Sequence, residues 1–176
     1  MAYEAKMKPT DVSVADFIAA VENPQRRADA GTLCALFEAI SGEPPVMWGP
    51  SIIGFGRYHY RYASGHEGDA PRLGFSPRKA WTVVYVMSGF DGQAALIARL
   101  GKVKTSVACL YVNQLDQIDL GVLREMAVLS LAHMRERYRS RVPPPAREKE
   151  TSHAAMRNSA ASSKPRASSH RASSSE

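Results

Sequence analysis

The chain has 176 residues, of which 44% are hydrophobic and 23% charged, a composition typical of one globular domain with one core. Its net charge of +6 is uneven, because residues 1–140 hold 16 Lys and Arg against 14 Asp and Glu, whereas residues 141–176 hold 7 against 3. A body so near neutrality gives no compositional argument for nucleic-acid binding. The sequence lacks a secretory signal pattern and the run of about 18 apolar residues that a membrane helix needs, so we expect a cytoplasmic protein without membrane contact.

Two helices are predicted at the N-terminus. Ser13 is a suitable N-cap for the first, which Asn23-Pro24 ends. The second runs from about residue 25 to residue 40, where one apolar stripe recurs at helical spacing and Gly42 follows the last turn. The stripe consists of Leu33, Leu36, Phe37 and Ile40.

Residues 52–62, IIGFGRYHYRY, alternate strictly and predict one long strand with two different faces. One face carries Ile53, Phe55, Arg57, His59 and Arg61. The other carries Ile52, Gly54, Gly56, Tyr58, Tyr60 and Tyr62. Two missing side chains beside a row of phenols predict a surface that a helix, a backbone or a ligand approaches closely.

The remaining elements are predicted from turn residues and periodicity. They are a loop at 64–71, a short strand at 73–75, a turn at 76–79, a central strand at 81–87, a helix at 91–100, a basic turn at 102–106, a last strand at 107–112 and a helix from Asp119 to Tyr138. This pattern predicts an α+β fold, in which an antiparallel or mixed sheet of about four to five strands is covered by N-terminal and C-terminal helices.

The chain divides into three parts by composition. Residues 1–24 form a helix that leads into the domain, and residues 25–140 form the α+β domain. Residues 141–176 are rich in Ser, Ala, Pro and basic residues, so we expect a disordered tail that can make weak, non-specific contacts with polyanions. The two cysteines, Cys34 and Cys109, lie in apolar runs without zinc-ligand spacing and are expected to be buried free thiols.

The sequence motifs of common enzymes are incomplete in this chain. The segment GKVKTS at 101–106 lacks the upstream glycine and the hydroxyl residue of a phosphate-binding loop. The sequence also has no Gly-x-Ser-x-Gly elbow and no His-x-x-x-His pair. Because no nucleophile and base can be paired, we predict no enzymatic activity. His66, Glu67 and Asp69 place an imidazole and two carboxylates within four residues, which leaves a metal site there as an alternative to a solvated turn.

The first functional hypothesis is a non-catalytic protein that binds a small anion without a cofactor. We expect its cleft where the 52–62 strand, the 64–71 loop and the 102–106 turn converge. The predicted cationic residues are Arg57, Arg61, Arg78, Lys79, Lys102 and Lys104. The predicted aromatic walls are Trp48, Tyr58 and Trp81.

A set of ordered motifs also carries a family resemblance. These are Met47-Trp48-Gly49, SIIGFGRYHYRY at 51–62, GFSPRK at 74–79, LGKVK at 100–104, CLY at 109–111 and LDQID at 115–119. Together they resemble the bacterial YdhG-like family, domain of unknown function 1801, over roughly residues 25–138. The resemblance implies a small α+β domain similar in architecture to frataxin-like iron-binding proteins. An intracellular iron-binding chaperone, with iron held at His66, Glu67 and Asp69, is therefore the alternative function.

Overall fold

A computed structural model describes residues 7–138 of the chain. They form an α+β fold with an antiparallel sheet and helices packed on it, which confirms the predicted class. The predicted disordered tail at 141–176 lies outside the described residues. Within residues 7–138, no helix has the length and apolar character needed to cross a membrane.

The secondary structure comprises four α-helices, a short 3-10 turn and nine strands within the described residues. The helices are α1 (Val14–Ala19), α2 (Pro24–Ser41), α3 (Ala94–Leu100) and α4 (Leu120–Arg137), and the 3-10 turn is Leu115–Gln117. The strands are β1 (Pro9–Thr10), β2 (Pro45–Trp48), β3 (Ile52–Phe55), β4 (Tyr58–Arg61), β5 (Glu67–Ala70), β6 (Leu73–Pro77), β7 (Thr82–Tyr85), β8 (Val103–Thr105) and β9 (Cys109–Val112). Seven strands form one antiparallel sheet in the order β1-β2-β3-β6-β7-β9-β8, while β4 and β5 pair separately.

Local capping explains where three of the helices begin. The side-chain oxygens of Ser13, Asn23 and Asp119 each accept the backbone N–H three residues along, at 3.2, 3.0 and 3.1 Å. These bonds satisfy amides that have no partner inside the helix. At the other end of α2, Gly42 takes a left-handed conformation with φ of 69°, which glycine adopts without steric cost.

The core lies between α2, α4 and one face of the sheet. Leu33 and Phe37 of the predicted α2 stripe are fully buried. The Phe37 ring lies 5.9 Å from the rings of Phe55 and Phe75, edge-on to both. Such contacts add to the free energy gained by burying apolar surface. Because strand side chains alternate, the opposite face of the sheet points away from both helices; we call it the outer face.

The sheet has more strands than the four to five predicted, and the long 52–62 strand is in fact two. Gly56, with φ of 66°, leaves the extended conformation and separates β3 from β4. The pairing register nevertheless continues across the break, since Phe55 pairs with Leu73 and Tyr58 pairs with Ala70. The predicted loop at 64–71 contains β5, and the predicted basic turn contains β8.

The two strand glycines have different structural roles. A Cβ added at Gly54 would lie 2.5 Å from Cδ1 of Trp48 and 2.6 Å from Cβ of Pro71. A Cβ at Gly56 would meet nothing closer than 3.6 Å. The close approach predicted from the glycines therefore occurs at Gly54, where Trp48 of the same chain occupies the space. Gly56 is required by its backbone conformation instead.

Candidate functional site

The outer face carries a band of aromatic side chains on strands β7 and β9. Val84 and Leu110 point into the core and are fully buried. Their neighbours in sequence therefore point outward, where Val83 pairs with Tyr111 and Tyr85 pairs with Cys109. Beside them, Lys104 of β8 pairs with Tyr111, which places a cation at the edge of the band.

A cleft of about 280 Å³ opens on this band, and we call it the outer-face cleft. It is lined by Arg78, Ala80, Trp81, Val83, Tyr85, Cys109 and Tyr111. Among these described lining residues none is acidic, and Arg78 is positively charged. This volume lies near the lower limit of about 300 Å³ for small-molecule sites, and it is suited to a single ring with a small substituent.

Two cations are held in place by aromatic side chains at the cleft. Nζ of Lys104 lies 5.0 Å from the ring centroid of Trp81, within the range of a cation–π interaction. Nη2 of Arg78 donates a hydrogen bond of 3.2 Å to the hydroxyl of Tyr85. Arg78, Trp81 and Lys104 are therefore the predicted site residues that meet at one place.

The other predicted cations and Trp48 lie elsewhere in the fold. Cζ of Arg57 lies 5.6 Å from the ring centroid of Trp48, and the indole is only 2% exposed. Trp48 is the last residue of β2. Strands β3 and β6 lie between β2 and β7, so β2 and β7 are roughly 14 Å apart at normal strand spacing. Lys79 is in the β6–β7 turn and Lys102 precedes β8, where both are exposed. The expected convergence of the 52–62 strand with the 102–106 turn does not occur, because β3 and β8 are not neighbours.

One side of the β4–β5 hairpin carries alternating basic and acidic side chains. Nδ1 of His59 lies 3.0 Å from Oδ1 of Asp69, and Nε2 lies 3.7 Å from Oε2 of Glu67. Arg57 and Arg61 flank the same carboxylates at 3.8 and 3.5 Å. All five side chains are substantially exposed, so each pair contributes little to stability. Arg61 is thus engaged by Glu67, away from the outer-face cleft.

The other side of the same hairpin is a row of rings. Tyr138 lies 4.5 Å from Tyr58, Tyr58 lies 6.3 Å from Tyr60, and Tyr60 lies 5.3 Å from Tyr62, measured between ring centroids. The ring of His66 stacks on Tyr62 at 5.8 Å with an interplanar angle of 6°. The predicted row of tyrosines therefore exists, but Tyr58 packs against Tyr138 at the end of α4 and does not line the outer-face cleft.

The packing of Tyr58 leads to a pH prediction. Burial raises the pKa of the Tyr58 phenol to about 12, with the nearby phenols of Tyr138, Tyr62 and Tyr60 adding to the effect and Arg137 opposing it. Because the fold favours the neutral phenol, this contribution to stability is complete below pH 10 and is lost as the pH rises towards 12. In an ultraviolet titration, Tyr58→Phe should remove a phenol transition near pH 12. The control, Tyr111→Phe on the outer face, should retain it, because Tyr111 is not among the phenols that raise the pKa of Tyr58.

The predicted metal ligands do not fit an iron site. His66 stacks on Tyr62 on the aromatic side of the hairpin, whereas Glu67 and Asp69 face His59 on the charged side. The two carboxylates also have arginine partners that would compete with a cation. Among residues 7–138, no group of three or more His, Cys, Asp or Glu side chains has an arrangement able to hold a metal ion.

Sequence reasoning missed the aromatic and thiol groups that complete the outer-face cleft. The alternation within WTVVYVM and VACLYV places Tyr85 on the face of Val83, and Tyr111 on the face of Cys109. That signal was present in the sequence. It identifies a cleft only once β7 and β9 are known to be neighbours, because the four side chains come from two separate strands.

Comparison with known proteins adds no relative to this picture. No family model matches the chain, and neither a curated protein nor a solved structure does. The resemblance to the YdhG-like family therefore stays a prediction. The functional argument depends on the geometry of the outer-face cleft.

Proposed function

We propose that this protein binds a small anion that carries a flat ring, and that it does so at the outer-face cleft without catalysing a reaction. The observation that carries the proposal is the placement of Lys104 over Trp81, next to the Arg78–Tyr85 pair. These groups provide two positive charges and a flat apolar wall on one side of the sheet. The resemblance to YdhG-like proteins belongs to the same proposal and is supported by the ordered motifs of the sequence.

The chemistry of the cleft favours an anion over a cation or a neutral ligand. Arg78 presents a planar guanidinium that can bind two oxygens at once, while Lys104 provides a compact point charge. No carboxylate among the lining residues neutralises them. An oxyanion bound here therefore gains charge-assisted hydrogen bonds, each contributing about 1.5–3 kcal/mol before the costs of association.

The flat ring is inferred from the walls of the cleft. Trp81, Tyr85 and Tyr111 are each partly exposed, so their ring faces or edges remain available to a ligand. Aromatic groups pack best in offset or edge-on arrangements at centroid separations of about 4.5–7 Å. A ligand ring placed among them buries apolar surface on several sides, while its anionic group reaches Arg78 or Lys104.

A binding role is favoured over catalysis because of the groups that line the cleft. Cys109 is the one lining residue with a nucleophilic thiol, and its cross-strand partner is Tyr85. Among the lining residues that the structure describes, neither a histidine nor a carboxylate is present to act as its general base. The partly exposed thiol is nevertheless useful as a reporter, because a bound ligand would shield it.

The test uses phenyl phosphate as the probe, with inorganic phosphate and phenol as its two halves. Phenyl phosphate should bind more tightly than either half by titration calorimetry, and it should slow the alkylation of Cys109 by N-ethylmaleimide. Lys104→Gln should weaken its binding by roughly tenfold, the loss of one charge-assisted contact. The matched control is Lys102→Gln, because Lys102 is an exposed lysine two residues away, just before β8, whereas Lys104 is the lysine that lies over Trp81.

Two results would contradict the proposal. Equal losses for Lys104→Gln and Lys102→Gln would show that only the general positive charge of this edge attracts the probe. An unchanged alkylation rate at Cys109, measured by mass spectrometry of the modified peptide, would show that the probe binds elsewhere. Cys34 provides an internal reference, since burial, with a contribution from Glu38, raises the pKa of its thiol and disfavours the reactive thiolate.

A further inference from the structure

A second cavity, of about 730 Å³, lies between the α1–α2 turn and the β6–β7 turn, and we call it the helix groove. Its lining includes Phe17, Val21, Glu22, Arg26, Pro77 and Lys79. Arg78 also contributes, but its guanidinium is bonded to Tyr85 on the outer face. The helix groove is therefore separate from the outer-face cleft, and its interior cation is Arg26.

Arg26 is a buried cation with unused hydrogen-bond donors. Only 7% of the residue is exposed, and its position on α2 is in line with the buried Ala30, Leu33 and Phe37. Nη2 makes a long bond of 3.4 Å to the carbonyl oxygen of Ala80. Nε and Nη1 are fully buried and have no hydrogen-bond partner within residues 7–138.

Such an arrangement is unfavourable unless an acceptor is supplied. The guanidinium is a charged group with five N–H donors and no acceptor, so its burial places a positive charge and its donors away from solvent. Burying a charged group without its hydrogen bonds is strongly destabilising, whereas an apolar side chain of similar volume is often neutral or stabilising there. A buried arginine that lines a cavity and lacks acceptors would therefore gain hydrogen bonds from an anion that enters the cavity and reaches its guanidinium.

The end of α2 adds to the attraction for an anion. Asn23 caps this helix of 18 residues and also lines the helix groove. The positive end of the helix dipole therefore lies at the groove. The exposed Lys79 supplies a further cation at the opposite wall.

The remaining lining residues limit the kind of anion. The groove has an apolar wall formed by Phe17, Val21 and Pro77. A hydrated inorganic ion has no apolar group that could pack against this wall. Glu22 places a negative charge in the same lining, and this disfavours a doubly charged ligand. A single negative charge joined to an apolar group matches both features.

We propose that the helix groove is a second binding site, which takes a monocarboxylate carrying an apolar group and holds its carboxylate on Arg26. The apolar group lies along Phe17 and Val21. This site is distinct from the outer-face cleft, because the two share only Arg78 among their lining residues and the Arg78 guanidinium is bonded to Tyr85 on the outer face.

The test uses octanoate as the probe and octan-1-ol as its uncharged counterpart, with the full chain in titration calorimetry. Octanoate should bind more tightly than octan-1-ol, and inorganic phosphate should bind more weakly than octanoate. Arg26→Met should reduce octanoate affinity by roughly tenfold or more, the loss of a charge-assisted contact in a buried place. Ala20→Phe, at an exposed residue of the groove lining, should block the cavity and abolish binding while Arg26 remains.

Melting temperatures measured without any probe provide a second, independent readout. Arg26→Met should raise the melting temperature by a few degrees, because it removes a buried charge whose donors lack acceptors. Octanoate should raise the melting temperature of the unmodified protein and have no such effect on the variant. Arg124→Gln, at an exposed arginine of α4, is the control that should change neither quantity.

Several results would overturn this inference. Equal binding of octanoate to the unmodified protein and to Arg26→Met would show that the carboxylate is not held by Arg26. Equal affinities for octan-1-ol and octanoate would show that the groove binds only the apolar chain and not the carboxylate. Tighter binding of phosphate than of octanoate would show that the ligand is not a monocarboxylate with an apolar group. A lower melting temperature for Arg26→Met without probe would show that Arg26 supports the fold by itself.

Discussion

Replacing Gly54 by Val is expected to lower the free energy of unfolding by about 3 kcal/mol, the upper part of the usual range for overpacking. A Cβ at this position would lie 2.5 Å from Cδ1 of Trp48 and 2.6 Å from Cβ of Pro71. Trp48 is only 2% exposed and lies beneath Arg57, so its indole has little room to move aside. A urea titration followed by circular dichroism measures the change.

The matched control is Gly31→Ala within α2. Gly31 is exposed, and a Cβ there would meet nothing within 4 Å. Alanine should therefore raise the free energy of unfolding by roughly 0.5–1 kcal/mol, because glycine loses more conformational freedom in a helix. The two glycine replacements should thus change stability in opposite directions. A midpoint for Gly54→Val equal to that of the unmodified protein would show that Trp48 does not pack on the β3 backbone.

The second large effect is expected at Asp29, where Asp29→Ala should lower the free energy of unfolding by about 2–3 kcal/mol. Asp29 is 6% exposed, and its Oδ2 accepts a hydrogen bond of 3.1 Å from the backbone N–H of Leu115. Its Oδ1 accepts a further bond of 2.9 Å from Nε2 of Gln25. The carboxylate therefore joins α2 to the turn before α4, and alanine leaves the Leu115 amide buried without a partner.

Two variants show whether this bond is the cause. Asp29→Asn keeps an oxygen that can accept from Leu115 and should lose less stability than Asp29→Ala. Asp116→Ala removes an exposed carboxylate next to Leu115 and should change stability by no more than about 0.5 kcal/mol. If Asp29→Ala lowered the free energy of unfolding no more than Asp116→Ala does, the hydrogen bond to Leu115 would not contribute to stability.

The helices and most of the strands were predictable because their signals are local. Ser13, Asn23 and Asp119 bond to amides only three residues away, so their capping role is visible in the sequence. The apolar stripe containing Leu33 and Phe37 likewise depends on the period of a single helix. The α+β class follows from the order of such elements.

The number of strands was underestimated for a physical reason. Alternation along 52–62 is unbroken in the sequence, yet the positive φ of Gly56 divides it into β3 and β4. Glycine occurs both inside strands and at the points where one strand ends and another begins. The packing of neighbouring segments decides which of the two forms. The sequence predicts a loop and a turn where β5 and β8 lie, because the stability of these short strands comes from their partners and not from their own composition.

The sequence by itself determined the helices and the class of fold. It also determined the chemical character of individual residues, such as the cations Arg78 and Lys104 and the aromatic side chain of Trp81. Only the tertiary structure decided which of them meet, because the order of strands places β8 beside β9 and far from β3. It also decided that Arg26, one residue from the exposed Arg27 in sequence, is buried beside a cavity. Capping and periodicity act over a few neighbouring residues, whereas strand pairing and burial depend on contacts between segments far apart in the chain.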